Sequence, residues 1–104
     1  MPQTYRVLLA KRAATDLEEI FDRIAKDSPG NAARVIDRIL TAIDGLKTFP
    51  HRNLVAEQDP TAAHPLRSMP VQSWIVFFRV LDQHHLVRVL RVRHGARRRL
   101  KRYE

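Results

Sequence analysis

The chain has 104 residues, a formal net charge of +8 and no cysteine. This length suits one domain with its own hydrophobic core, and an apolar share of 44% excludes a wholly disordered chain. The lack of cysteine excludes disulfides and thiolate chemistry, and no apolar run approaches the roughly 18 residues of a membrane span. We therefore expect a single cytoplasmic domain, residues 1–104, whose partner is acidic.

The first half of the chain predicts a strand and a helical hairpin. Alternating side chains over residues 5–9 predict a short strand. Apolar residues then recur every three or four positions from about Lys11 to Lys26, which indicates an amphipathic helix. A second helix begins after Ser28, a suitable cap, and ends near Lys47. Because the connection is short, the two helices are expected to form an antiparallel hairpin.

The second half predicts a loop and then three strands. Residues 51–65 show no clear period and contain two prolines, so a loop is expected there. Apolar patterns then predict strands at residues 66–69 (ended by Pro70), 73–81 and 86–92. The order β-α-α-β-β-β favours an α+β fold with the helical hairpin on one face of a small, mainly antiparallel, four-stranded sheet. Residues 93–104 follow as a basic C-terminal tail.

Common catalytic and metal motifs do not occur. The three serines lack the neighbours of a hydrolase nucleophile, and the glycines are isolated, so no phosphate loop is expected. His51, His64, His84 and His85 are read as surface residues, because two of them are adjacent in a predicted turn. We expect no metal and no cofactor.

Arginine dominates the charge. Fifteen of the 19 basic residues are Arg, the cation suited to bidentate pairing with phosphate or carboxylate. Strict alternation places Val87, Val89, Arg91 and Arg93 on one face of the last strand. The set is consistent with a basic patch for phosphates or acidic side chains, and equally with solvated charges that protect a sheet edge. The candidate binding residues are Arg67, Arg79, Arg91, Arg93, Arg97 and Arg98.

His94 is the best acid–base candidate, because it is the histidine within this Arg-rich region. Metal-free RNA cleavage would need a base, an acid and cations for the phosphorane charge. Besides His94, Tyr103 and Glu57 are the residues considered for the proton transfers. A structural role for His94, as a hydrogen-bonding residue before Gly95, explains its position equally well.

Four segments, taken in order, resemble the RelE/ParE superfamily of type II toxins, and the likeness extends over essentially the whole chain. They are residues 14–20 (ATDLEEI), 66–70 (LRSMP), 75–80 (IVFFRV) and 89–97 (VLRVRHGAR). The sequence is more similar to the ParE branch. RelE-type toxins usually carry an Arg just before the aliphatic-aromatic part of the middle strand, where this chain has Trp74 and Ile75. A related branch ends its last strand in His-Tyr, whereas Gly95 follows His94 here.

The resemblance implies a toxin that inhibits DNA gyrase and is neutralised by an acidic, ParD-like antitoxin. The alternative is a RelE-like, ribosome-dependent endonuclease that cuts mRNA without a metal and uses His94. A third hypothesis is a basic nucleic-acid-binding module that binds through its tail. The sequence leans towards the gyrase inhibitor, which is not an enzyme.

Overall fold

A computed structural model describes residues 4–57 and 63–95 of the chain. Two helices pack on one face of a mixed sheet, so the predicted α+β class is confirmed. The elements are β1 (Arg6–Leu9), α1 (Lys11–Ala25), α2 (Pro29–Asp44), β2 (Leu54–Glu57), β3 (Leu66–Val71), β4 (Trp74–Leu81) and β5 (Leu86–His94). No helix in these residues is long and apolar enough to cross a membrane.

The helical hairpin forms as the sequence predicts. Helix α1 buries Ala13, Leu17 and Ile20 on the stripe that faces the sheet. The Ser28 hydroxyl accepts a hydrogen bond from the Asn31 amide at 3.4 Å and so caps α2, with a proline at the first turn. After α2, a short 3₁₀ turn at Gly45–Lys47 extends the helical segment to Lys47, near which the second helix was predicted to end.

The described part of the sheet has five strands, so the predicted count of four is wrong. Their order is β1-β5-β4-β3-β2, with β1 parallel to β5 and the other neighbours antiparallel. The additional strand, β2, lies at one edge of the sheet, within residues 51–65, which were predicted to form a loop. Leu54 in this strand is 79% exposed. A four-residue edge strand buries too little to impose an alternating pattern, which is why the sequence does not reveal it.

Strand β3 continues through Pro70 to Val71, whereas the sequence predicted that Pro70 would end this strand. Strand β2 pairs with β3 no further than Ser68, so β3 is an edge strand at Pro70. A proline is tolerated there because no neighbour requires its missing N–H on that side.

A register shift in β5 changes which residues of its C-terminal half share a face, so the strict alternation predicted there is wrong. Phe78 pairs with Val89 and Phe77 pairs with Arg91, which leaves Leu90 as the extra residue of a bulge. Val92 therefore joins Val87 and Val89 in the core beneath the helices, which strict alternation did not predict. Leu66, Phe77 and Leu90 form a second, smaller cluster.

Candidate functional site: a polar cleft beside the last strand

A cleft of about 170 Å³ opens between α1 and the C-terminal end of β5. Strand β1 reaches only as far as the Leu9–Val89 pair, so among the described residues no strand pairs with this end of β5 on its outer side. Helix α1 crosses there instead. The cleft is lined by Asp16, Glu19, Ile20, Arg23, Trp74, Arg91, Val92, Arg93 and His94.

Asp16 is the buried charge that organises the cleft. Its Oδ2 accepts hydrogen bonds from Arg91 Nε at 2.8 Å and from the Val92 amide at 2.9 Å. Its Oδ1 accepts a further bond from Arg91 Nη2 at 3.1 Å. The carboxylate thus satisfies a backbone donor beyond the end of β1, and its hydrogen bond raises the pKa of Arg91.

Asp16 is not among the residues predicted for the site, although the sequence contains a signal for it. It lies three residues after Ala13 and four before Ile20, on the stripe of α1 that is buried. A carboxylate on an apolar stripe requires a partner, since an unpaired buried charge is strongly disfavoured. Arg91, predicted as a binding residue, is that partner.

His94 lies at the mouth of the cleft against an aromatic ring. It pairs with Trp74 across β4 and β5, and the two rings meet edge to face with centroids 5.1 Å apart. The following amide, that of Gly95, donates to the Ser73 carbonyl at 2.7 Å. A Cβ at Gly95 would approach that oxygen to 3.2 Å, so the close backbone contact favours glycine here.

The predicted Arg set is divided between several places. Arg91 and Arg93 line the cleft together with His94. Arg67 Nη1 instead donates to the carbonyls of His51 and Asn53, at 3.0 and 2.9 Å. Arg79 donates to the His64 carbonyl. Two of the predicted cations therefore bind the connection between α2 and β3, and neither lines the cleft.

Four further residues were predicted for the site, namely Arg97, Arg98, Tyr103 and Glu57. Arg97, Arg98 and Tyr103 lie outside the described residues. Glu57 belongs to β2, and three strand spacings, about 14 Å, separate that strand from β5. Within residues 4–57 and 63–95, no group of three or more His, Asp or Glu side chains could hold a metal ion.

A second polar cluster lies near the turn between β4 and β5. Asp82 Oδ1 accepts a hydrogen bond from the Tyr5 hydroxyl at 2.8 Å and lies 2.8 Å from His51 Nε2. The hydrogen bonds from Tyr5 and His51 lower the pKa of Asp82, and the same contact with Asp82 raises the pKa of Tyr5. The cluster links Tyr5, the residue before β1, to the α2–β2 and β4–β5 connections. Because His51 and Asp82 are exposed, it contributes only modestly to stability.

Solved structures with a similar fold are toxin–antitoxin proteins. The chromosomal ParDE system of P. aeruginosa matches with a TM-score of 0.71 at 18% identity, over 88% of this chain and 96% of that one. The RelBE2 complex of Mycobacterium tuberculosis matches with a TM-score of 0.61 at 25% identity, over 88% and 92%. The archaeal RelE–RelB complex of Pyrococcus horikoshii OT3 matches with a TM-score of 0.65 at 19% identity, over 91% and 99%.

These likenesses define the class of fold, that of the small RelE/ParE toxins. Among curated proteins, none matches the sequence significantly. The family model of the ParE toxin of the type II toxin–antitoxin system parDE matches residues 7–99. The chain belongs to that family, and it is a type II toxin of the ParE/RelE kind.

Proposed function

We propose that this toxin inhibits DNA gyrase and is neutralised by an acidic, ParD-like antitoxin. The observation that carries the proposal is the match to the ParE family model over residues 7–99, nearly the whole chain. Gyrase is the target that the ParE resemblance implies.

Charge and exposed apolar residues support the antitoxin as partner. The chain has a net charge of +8, and the similar solved structures are described as toxin–antitoxin systems or complexes. Phe21 of α1, Leu40 of α2 and Leu54 of β2 are exposed, so they are available as apolar anchor points. A disordered acidic segment that folds on the toxin would use both features.

The antitoxin proposal is tested by cloning the gene beside the toxin gene, which the proposal predicts to encode a small acidic protein. We expect the two proteins to co-purify at physiological salt. Their association rate should fall strongly between about 0.1 M and about 1 M salt, where the Debye length shrinks from about 10 to about 3 Å. Failure to co-purify, or an association rate independent of salt, would contradict the proposal.

A second candidate, a ribosome-dependent mRNA endonuclease, is favoured by one observation. His94, Arg93 and Glu19 line the same cleft, so a histidine, a cation and a carboxylate are present together. Against this reading, both oxygens of Asp16 are engaged by Arg91, and Glu57 lies on a distant strand. The available groups for two proton transfers are therefore few.

The two targets are separated by assays of gyrase and of mRNA. A gyrase inhibitor should stabilise cleaved DNA in a purified gyrase reaction and induce the SOS response, with bulk mRNA intact. An endonuclease should produce codon-positioned cuts in primer extension. If His94 is a general base, His94→Ala should slow cleavage by about 10²–10⁴-fold, whereas the control His84→Ala, at an exposed turn, should not. Ribosome-dependent cuts that disappear only in His94→Ala would overturn the gyrase proposal.

A further inference from the structure

Four of the five described strands carry cations and no carboxylates, whereas both helices carry charges of both signs. Strands β1, β3, β4 and β5 carry six Arg and neither Asp nor Glu. Helix α1 carries four carboxylates, and α2 carries two. A sheet with cations and no compensating carboxylates on these strands attracts a polyanion.

The six strand arginines differ in whether the side chain already binds another group of the toxin. Arg91 is paired with Asp16, while Arg67 and Arg79 donate to backbone carbonyls. Arg6 and Arg88, by contrast, are exposed and make no side-chain hydrogen bond or ion pair with the residues that the structure describes. These two cations are available to a ligand without loss of a contact to the described residues.

Arg6 and Arg88 lie close together on the sheet face opposite the helices. Leu8 pairs with Arg88 in the parallel β1–β5 register, and Arg6 is two residues earlier on the same side of β1. Their Cα atoms are therefore about 8 Å apart, from strand and residue spacings. The spacing brings two long, cationic side chains within reach of neighbouring phosphates.

Two more cations join them at the start of α1. Lys11, Arg12 and Arg88 line a cavity of about 170 Å³ with Ala10 and Leu90, and no carboxylate lines it. Lys11 and Arg12 are also exposed and without an ion pair among the described residues. We call Arg6, Lys11, Arg12 and Arg88 the basic corner.

We propose that the basic corner binds the phosphate backbone of duplex DNA. This inference deepens the proposed function, because a gyrase inhibitor acts where the enzyme holds DNA. Four uncompensated cations repel one another in the free protein, and a ligand with closely spaced charges relieves that repulsion. Duplex DNA carries one negative charge per about 1.7 Å of its axis, which a peptide with scattered carboxylates does not match.

The test measures binding of the full-length toxin to a short, fluorescein-labelled, random-sequence DNA duplex by anisotropy over a salt series. Four phosphate contacts predict that a plot of the logarithm of the association constant against the logarithm of the salt concentration has a slope of about −3.6. Arg6→Gln/Arg88→Gln should weaken binding at least about tenfold and reduce the slope by about 2. Arg34→Gln/Arg38→Gln, which removes two exposed cations of α2, is the charge-matched control and should change the dissociation constant less than about twofold.

Three results would overturn the inference: equal losses in the double variant and the control, unchanged DNA binding in the double variant, or tighter binding to single-stranded RNA than to the duplex. Unchanged DNA binding with a loss of antitoxin affinity would assign the basic corner to the antitoxin instead. Circular dichroism checks that each variant is folded.

The same proteins distinguish this inference from the gyrase proposal. If the wild type binds the duplex through the basic corner but does not inhibit gyrase, the DNA site stands and the gyrase proposal fails. If the double variant binds DNA and inhibits gyrase as the wild type does, the DNA site fails and the gyrase proposal stands.

Discussion

Replacing Asp16 by alanine tests the contact on which the cleft depends. The substitution removes three hydrogen bonds, two from Arg91 and one from the Val92 amide. It leaves behind a guanidinium whose side chain is 12% exposed and an amide at a buried residue, both on the wall of the cleft. Water that enters the cleft must then replace the carboxylate as acceptor, or β5 must move.

The magnitude follows from the burial of the pair. Removing one partner of a buried ion pair costs about 3–5 kcal/mol, and an unsatisfied buried amide costs about 1–3 kcal/mol. Because the two effects share one site, they are not additive, and we expect a loss of about 4 kcal/mol in the free energy of unfolding. Small domains are stable by only about 5–15 kcal/mol in total, so Asp16→Ala should be close to unfolding.

Urea denaturation followed by circular dichroism measures this loss. Asp22→Ala, an exposed Asp→Ala change in the same helix, is the control for helix propensity and should change stability by less than about 1 kcal/mol. Asp16→Leu/Arg91→Met should recover the part of the loss that comes from the unpaired guanidinium, since an apolar pair leaves no stranded charge, while the Val92 amide still lacks its acceptor. A cost below about 1 kcal/mol for Asp16→Ala would refute the reasoning.

Three further predictions concern stability. Ser28→Ala should cost about 1 kcal/mol in thermal denaturation by removing the cap of α2; a cost no larger than that of the exposed Thr41→Ala would contradict it. Because the pKa of Asp82 is lowered, its contribution is present at neutral pH and lost as the pH falls below about 4. The small cost of Tyr5→Phe should therefore be measurable at neutral pH and vanish in acid, and an equal cost at both would contradict the assignment. Phe78→Ala, at a fully buried ring, should lower the free energy of unfolding measured in urea by about 3–5 kcal/mol, and a loss below about 1 kcal/mol would contradict its place in the core.

The helices could be predicted because their signals are local. The apolar stripe of α1 depends on residues three or four positions apart, and the Ser28 cap depends on one turn of chain. Strand β4 is equally clear, since its run of apolar residues is covered on both faces by the two core clusters. Patterns of this kind do not require knowledge of distant parts of the chain.

The features that sequence reasoning missed depend on distant pairings. Strand β2 is defined by its hydrogen bonds to β3, and the bulge at Leu90 by the register with Phe77 and Phe78. Asp16 and Arg91 are 75 positions apart in the sequence. A single residue inserted into the β5 ladder moves Val92 into the core, and only the neighbouring strand shows the insertion.

The arginines show why charge alone could not locate a binding surface in this chain. Arg67, Arg79 and Arg91 lie in the same sheet as Arg6 and Arg88, and their residue type is identical. The first three already bind a carbonyl or a carboxylate of the toxin, so a partner would have to replace those contacts. A ligand at Arg6 and Arg88 replaces no contact that these side chains make with the described residues. The positive charge of the sequence predicts an acidic partner, and the internal contacts of each cation determine where that partner is expected to bind.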